Sequence, residues 1–526
     1  MIYARNIHFR ISLMTTDTIS PVIRLNPADN VGVARTAIPS GTAIAEGGEI
    51  VIAHTDIPSG HKVALRAIAP GEAVLKYGQI IGVSTGTIAP GDHVHLHNLA
   101  MQESHATHHF AEDARETPLL PEGERRGFEG YVRPDGQVGT RNFIGIVTSV
   151  NCSATVARAI ADHFNRGGGL DGYDNVDGVV ALTHGTGCAI NMKTEGYLYL
   201  QRVLSGYARN PNFAGILFIG LGCETNQIDP IVQKFGLTEG PLLRTMTIQN
   251  LGGTRKTIEV ASDIIREMLP EVNAAKRTTV TLTGLKVALQ CGGSDGYSGI
   301  SANPALGYAA DLIVQHGGTA VLSETPEIYG AEHLLTRRAV SAEVAQKLMD
   351  RIEWWRHYTE RNGAELNNNP SHGNKLGGLT TILEKSLGAV AKGGSMPLEA
   401  VYEYGEIIDR TGFVFMDTPG YDPVAVTGQV AGGCNVIVFT TGRGSVSGFK
   451  PAPCIKVATN TEMYEHMSDD MDINCGDIVN GTDSIEAAGR RIFEKILTVA
   501  SGEHTLSEDF GFGDNEFVPW QIGAVT

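Results

Sequence analysis

Apolar and polar positions fall into two regimes along this chain. Between residues 21 and 98, short β-type runs at 49–53, 62–65, 73–76 and 80–83 alternate with Pro-Gly, Ser-Gly and Gly-Asp turns. No helical period interrupts them, which predicts a small all-β, barrel-like module. From residue 128 the pattern changes to apolar runs of strand length separated by longer segments of helical period. Runs at 142–148, 176–182, 215–219, 285–289, 320–322 and 436–439 read as strands; 154–164, 194–207, 261–276, 341–361 and 485–501 read as helices. Strand and helix alternating at this interval predict mainly parallel sheets covered on both faces. The polar stretch 99–127 reads as a linker from which the module swings or docks, with His105, His108 and His109 solvated. The expected division is therefore 21–98, 99–127, 128–280 and 281–526: an α/β protein whose small N-terminal all-β module precedes a two-part α/β body.

Length and charge narrow the function classes. At 526 residues the chain exceeds a single core, and its net charge of -17 without a basic stripe argues against nucleic acid. No apolar run reaches membrane-spanning length. Seven cysteines, an odd number in so long a chain, do not read as a disulfide framework and suit a reducing cytoplasm. Residues 1–13 carry Arg5 and Arg10 but no apolar core or cleavage site, so they read as a disordered lead-in, and Met14 is as plausible a start as Met1. Composition leaves a homo-oligomer open.

The candidate chemistry gathers at predicted strand ends. After the run 285–289 come Gln290, Cys291, two glycines, and the short polar side chains Ser294, Asp295, Ser298, Ser301 and Asn303, before a helix opens near Pro304. A strand end, a glycine collar and a helix N-terminus is where an open α/β sheet keeps its ligand; the competing reading is a glycine-rich turn. Cys152, Cys188 and Cys223 also lie just past apolar runs, and structural cysteines would fall inside them. Strand carboxyl ends share one sheet edge, so these thiols are expected to converge on a crevice. Thiolates there suit iron above all, with an iron–sulfur cluster or zinc after it. His93, His95 and His97 alternate on what reads as one strand face, suited to a divalent metal or a sugar-acid carboxylate, or simply solvated. Gly60-His61-Lys62 opens a strand after a turn. Glu324 and Glu327 follow the run 320–322. The stretch 367–378 reads as a loop containing His372, Asn374 and Lys375. Thr441 and Arg443 follow 436–439, and an arginine between glycines there can grip a carboxylate bidentately.

By these motifs the chain resembles the altronate and galactarate dehydratase family, sugar-acid enzymes with an SAF-type β module and a two-part body. The matching stretches include Gly60-His61-Lys62-Val63-Ala64-Leu65, Gly220-Leu221-Gly222-Cys223-Glu224, Gln290-Cys291-Gly292-Gly293-Ser294-Asp295, Gly373-Asn374-Lys375 and Thr440-Thr441-Gly442-Arg443-Gly444. His93-x-His95-x-His97-Asn98, Glu324-x-Pro326-Glu327 and Lys456-Val457-Ala458-Thr459-Asn460 resemble the altronate branch. His372 stands where that family usually has proline. The resemblance implies dehydration of an aldonic or aldaric acid to a 2-keto-3-deoxy acid, D-altronate in the favoured case, with ferrous iron, or manganese if the ligands are mostly oxygen. Cys223, Cys291 and His184 are then the first metal-side candidates, followed by Cys152 and Cys188. His61, Lys62, Lys375 and Asp295 are catalytic candidates, and Arg443, Ser294, Asn303, Glu324, Asn374 and Thr441 substrate-binding ones. Rival readings are galactarate or another sugar acid as substrate, a sulfo-lyase acting on a sulfonated hydroxy acid, and a non-catalytic sugar-acid binding protein.

Overall fold

A computed structural model describes residues 20–46, 49–102 and 108–523; His105, Met1 and Met14 lie outside the described residues. The β module is built from small antiparallel sheets. Val22–Ile23, Val31–Ala34, Lys62–Ala64 and His93–Val94 form one, Ala43–Glu46 pairs with Glu49–Ile52, and Ala73–Lys76, Gln79–Ser84 and Leu99–Ala100 form another. The expected histidine strand stops at Val94. Asn98 folds back there, its Nδ2 donating to the His93 carbonyl at 2.9 Å and its Oδ1 accepting from the His95 amide at 2.9 Å. Such a side chain offers the backbone a turn in place of the ladder.

The module is docked, not tethered. Ile68, Val74 and Ile81 belong to the same buried cluster as Leu306, Leu387 and Val390 of the body, so undocking would expose a shared core. The presumed linker is strapped down too: the amides of Ala111, Asp113 and Leu120 donate to the carbonyls of Thr336, Arg337 and Gln315, each at 2.9 Å. His108 lies 3.7 Å from the Glu332 carboxylate. Polar composition suggested a free tether; backbone partners on the body supply the order.

The body's first part is a parallel sheet in the spatial order Gly178–Leu182, Phe143–Thr148, Phe213–Gly220, Leu243–Thr247. Helices Ala154–Arg166 and Thr254–Ala274 cover one face, where Val156, Ile160, Ile265 and Leu269 are buried together, and Glu195–Arg209 covers the other. The last strand, Leu-Arg-Thr-Met-Thr, has no apolar run and escapes a periodicity reading. A small antiparallel sheet of Gly127–Val132, Val138–Gly139 and Arg277–Thr281 closes this part by pairing its two ends.

The C-terminal part carries a seven-stranded, all-parallel sheet, ordered Leu398–Tyr402, Gly412–Met416, Thr319–Leu322, Lys286–Cys291, Val436–Thr441, Cys454–Ala458, Ile473–Asn474. The chain enters at the central strand Lys286–Cys291, builds outward on one side, then returns to its other flank at Val436–Thr441. Connections therefore leave these two neighbours in opposite directions, and a crevice opens above their carboxyl ends. Among the described residues no helix is long and apolar enough to cross a membrane.

Candidate functional site

The collar after Cys291 and the loop after Thr441 meet at that crevice. Gly292 donates to the Thr440 carbonyl at 3.1 Å, and Gly442 and Arg443 donate to Gly293 at 3.1 and 2.9 Å. Gly293 has φ +58, in the left-handed region that only glycine adopts freely. Arg443 is exposed at the rim and, among the described residues, makes no ion pair. Beneath it Asp295 is fully engaged. Its Oδ1 accepts from the Tyr297 amide at 3.1 Å and Ser298 at 2.9 Å, and its Oδ2 from Thr459 at 2.9 Å and Asn460 at 3.1 Å. Asp295 thus positions the collar and has no free oxygen to offer. Asn303 is committed likewise, to the Gly388 carbonyl at 2.9 Å and Thr440 at 2.6 Å, and Thr441 accepts from the Gly444 amide at 3.0 Å. Ser294 differs: its hydroxyl is buried without a partner among the described residues.

The β module closes one side of the crevice. Gly60 packs so tightly that a Cβ on Gly296 would lie 2.0 Å from its carbonyl, and one on Gly378 2.3 Å from it. Replacing Gly296 with Ala is therefore expected to loosen the docked module and make the 99–127 segment cleavable by a probe protease; cleavage at the parental rate would contradict that role. This contact brings His61 against helix His372–Leu376, where its Nε2 sits 3.1 Å from the Leu376 carbonyl. A carbonyl only accepts, so Nε2 carries the proton and Nδ1, 3.0 Å from His93 Nε2, presents a lone pair. His95 completes the group: His61, His93 and His95 each offer a nitrogen within 4.8 Å of the others. The His95 Nδ1 is buried with no partner among the described residues. Burial, helped by neighbouring cationic and imidazole groups, pushes His93 down to about 4 and His95 to about 3, so both are neutral near pH 7. His97 is exposed, its ring 5.4 Å from that of His93.

The predicted 367–378 loop is partly helical. Ser371 and Asn374 form a capping box that starts the helix, with His372 as its first residue. Proline is favoured at that position, so histidine there keeps the same backbone course. Lys375 is half-buried on this turn, and Asn374 donates to the Ser294 carbonyl at 2.9 Å. Lys62, in contrast, is a structural bolt. It is fully buried with its Nζ 2.8 Å from Glu384, which also takes Lys76 at 2.9 Å. Burial lowers Lys62 to about 8, while burial opposes but Lys62 and Lys76 outweigh, so Glu384 stays well below the carboxylate range.

Below the collar lies a dry charged cluster. Cys291 ends its strand, buried; Lys392 donates to its sulfur at 2.9 Å, and the thiol in turn donates to the Glu327 carboxylate at 3.6 Å. Lys392 also lies 3.3 Å from Glu324, and Lys385 2.7 Å from Glu327. Glu324 holds φ +70 and leaves Oε1 unpartnered among the described residues. Burial and the neighbouring Glu327 raise its carboxyl, and burial pushes the Cys291 thiol up to about 12. Lys385 links this cluster to the crevice through Asn369 at 2.8 Å and Asn374 at 3.5 Å.

The other sulfur candidates sit elsewhere. Cys152, Cys188 and Cys223 are exposed on loops of the body's first part, in a different sheet from Cys291. His184 has both nitrogens occupied, Nε2 by the Thr148 carbonyl at 2.9 Å and Nδ1 by the Thr186 amide at 3.3 Å. Among the described residues the three-donor groups are His61–His93–His95 and Cys291–Glu324–Glu327, neither containing His184 or the exposed thiols. Sequence reasoning missed Glu384, Lys76, Lys385 and Lys392. The one local clue was a lysine or glutamate inside an otherwise apolar run, as at Glu384-Lys385.

Comparison with known proteins covers nearly the whole chain. Three family descriptions match in succession: the altronate/galactarate dehydratase SAF domain at residues 20–102, the D-galactarate dehydratase/altronate hydrolase second domain at 130–273, and the D-galactarate/altronate dehydratase C-terminal domain at 282–525. Altronate dehydratase of Bacillus subtilis (strain 168) is 35% identical over 483 residues, 91% of this chain and 95% of the relative. Galactarate dehydratase (L-threo-forming) of Escherichia coli (strain K12) is 37% identical over 498 residues, 93% and 94% of the two chains. Altronate dehydratase of the same strain is 33% identical over 488 residues, 92% and 96%.

Proposed function

Because this chain belongs to the D-galactarate/altronate dehydratase family and is a hydro-lyase of sugar acids, we propose that D-altronate is its substrate and 2-dehydro-3-deoxy-D-gluconate its product. The reaction removes the proton at C2, expels the hydroxyl at C3 as water, and lets the enol formed become the ketone. The observation that carries the reading is the junction of module and body. His61, His93 and His95 stand at one wall, Lys375 on the adjoining turn, and the collar with Arg443 at the switch of the parallel sheet.

Ferrous iron fits the imidazole group. Three neutral nitrogens of borderline softness face one another, one is a buried orphan, and the Leu376 carbonyl fixes the tautomer of His61. The Cys291–Glu324–Glu327 group fits less well, since Lys385 and Lys392 already supply the positive charge an ion would bring. Held by His61, His93 and His95, the ion would act as a Lewis acid toward the carboxylate and the leaving hydroxyl.

The chain's own residues do the rest. Arg443 receives the acid's carboxylate in a bidentate grip at the rim, where no carboxylate among the described residues pairs with it. Lys375, on the turn beside this wall, is assigned to stabilising the enolate's negative oxygen. The buried Ser294 hydroxyl donates to a substrate oxygen. The docked module excludes water from the crevice. Arg443→Ala is expected to lower kcat/KM for the acid roughly 10- to 100-fold, mainly through KM, as loss of a charged hydrogen-bonding partner does; an unchanged KM would remove Arg443 from this role.

D-altronate is preferred over galactarate because His93-x-His95-x-His97-Asn98, which contributes His93 and His95 to the wall, resembles the altronate branch. Anaerobically purified protein should form 2-keto acid from D-altronate faster than from galactarate, other aldonates or a sulfonated hydroxy acid. Preference for galactarate would overturn the substrate, sulfite release would overturn the bond broken, and binding without turnover would leave a binding protein.

A further inference from the structure

The seven cysteines divide sharply by environment: Cys291, Cys434, Cys454 and Cys475 are buried, whereas Cys152, Cys188 and Cys223 are exposed. Free cysteine is among the most buried residue types, so three exposed thiols at one edge call for a reason. All three follow parallel strands of the body's first part. Cys152 comes after Phe143–Thr148 and Cys223 after Phe213–Gly220, the two parallel neighbours on either side of which the chain adds its next strands in opposite directions, and Cys188 follows Gly178–Leu182. The loops are stitched together. The Asn151 amide donates to Thr186 at 2.9 Å, the Asn226 amide to Gly187 at 3.0 Å, the Asn226 side chain to the Ser149 carbonyl at 3.0 Å, and Ser149 to Glu224 at 2.5 Å. Each thiol is thus within a few residues of a bond to a loop bearing another.

Two further observations mark the edge as a site. Ala189, next to Cys188, holds φ 54, a left-handed conformation that a non-glycine residue rarely adopts. The fully buried Asn226 leaves Oδ1 unpartnered among the described residues. Beside Cys152 opens a polar cavity of about 390 Å³, lined among others by Asn151, Arg158, Thr183 and His184. Thiolates sharing one iron or zinc at about 2.3 Å from it lie within roughly 4 Å of each other. These three sulfurs are not all within 4.8 Å of one another, so the loops as they stand do not close on a single ion. A polynuclear cluster holds its thiolates farther apart, one per iron corner.

We propose that Cys152, Cys188 and Cys223 hold an iron–sulfide cluster at this edge, a site separate from the imidazole group. Three thiolates leave one corner of a four-iron cluster without a protein ligand, open to a small anion. The inference does not depend on which acid is dehydrated. It is tested on the full chain, reconstituted without oxygen with ferrous iron and inorganic sulfide, reading bound iron, acid-labile sulfide and the visible thiolate-to-iron absorption.

The parent is expected to gain all three signals. Cys152→Ser, Cys188→Ser and Cys223→Ser, each on an exposed position, should fold as the parent does by circular dichroism yet lose most of the sulfide and the band. His61→Ala should keep both, which separates this site from the one proposed for catalysis. A triple serine variant that takes up iron and sulfide like the parent would overturn the proposal. So would a parent that binds ferrous ion without sulfide.

Discussion

Turnover of the His61→Ala variant is expected to fall by more than the roughly 10- to 100-fold that even an outer partner of a metal ligand is worth. Its folding should barely change. His61 contributes one of three facing nitrogens and one hydrogen bond to the Leu376 carbonyl, and losing such a bond costs about 1 kcal/mol. Anaerobic 2-keto acid assays, iron content and thermal melts on the same preparation separate the two effects. Activity and melting temperature falling in proportion would make His61 a packing residue; full activity with less iron would detach the imidazole group from the reaction.

Glu384→Gln should produce the largest loss of stability in the molecule, about 3–5 kcal/mol, because it leaves Lys62 and Lys76 buried beside a neutral amide. The loss should appear first as undocking of the module, whose strands carry both lysines. Its pH dependence has a definite sign. Unfolded, the glutamate titrates near ~4.3; folded, the two ammonium groups outweigh burial and hold it well below that. The stabilisation is therefore complete above the unfolded value and drains away as pH falls from there through the depressed folded value. Denaturant midpoints of parent and variant should differ most near neutrality and converge on acidification. Parallel midpoints across that window would show that Glu384 is not the stabilising group.

Both predictions rest on a junction that sequence reading approached from one side only. Gly60-His61-Lys62 was visible as a turn followed by two polar side chains, and the histidines as an alternating run. Nothing local says that Lys62 meets Glu384, because that pair joins residues 322 positions apart in the chain. The adjacent Lys62 is buried on an ion pair while His61 faces the crevice, a difference that strand alternation allows but does not assign. Among the collar residues, Asp295 and Asn303 looked like ligands by type; once folded, their polar atoms bind the protein itself.

What the chain determined by itself is the local part of the architecture. Apolar runs spaced by helical segments make parallel sheets, glycines bare the backbone at strand ends, and serine with asparagine starts a turn of helix, all through interactions between near neighbours. Only the tertiary structure decided which strand ends share an edge. It sent Cys291 to a dry cluster with two lysines and left the other three candidate thiols on a separate sheet, because strand order depends on which faces bury each other, and that is a property of the packed whole.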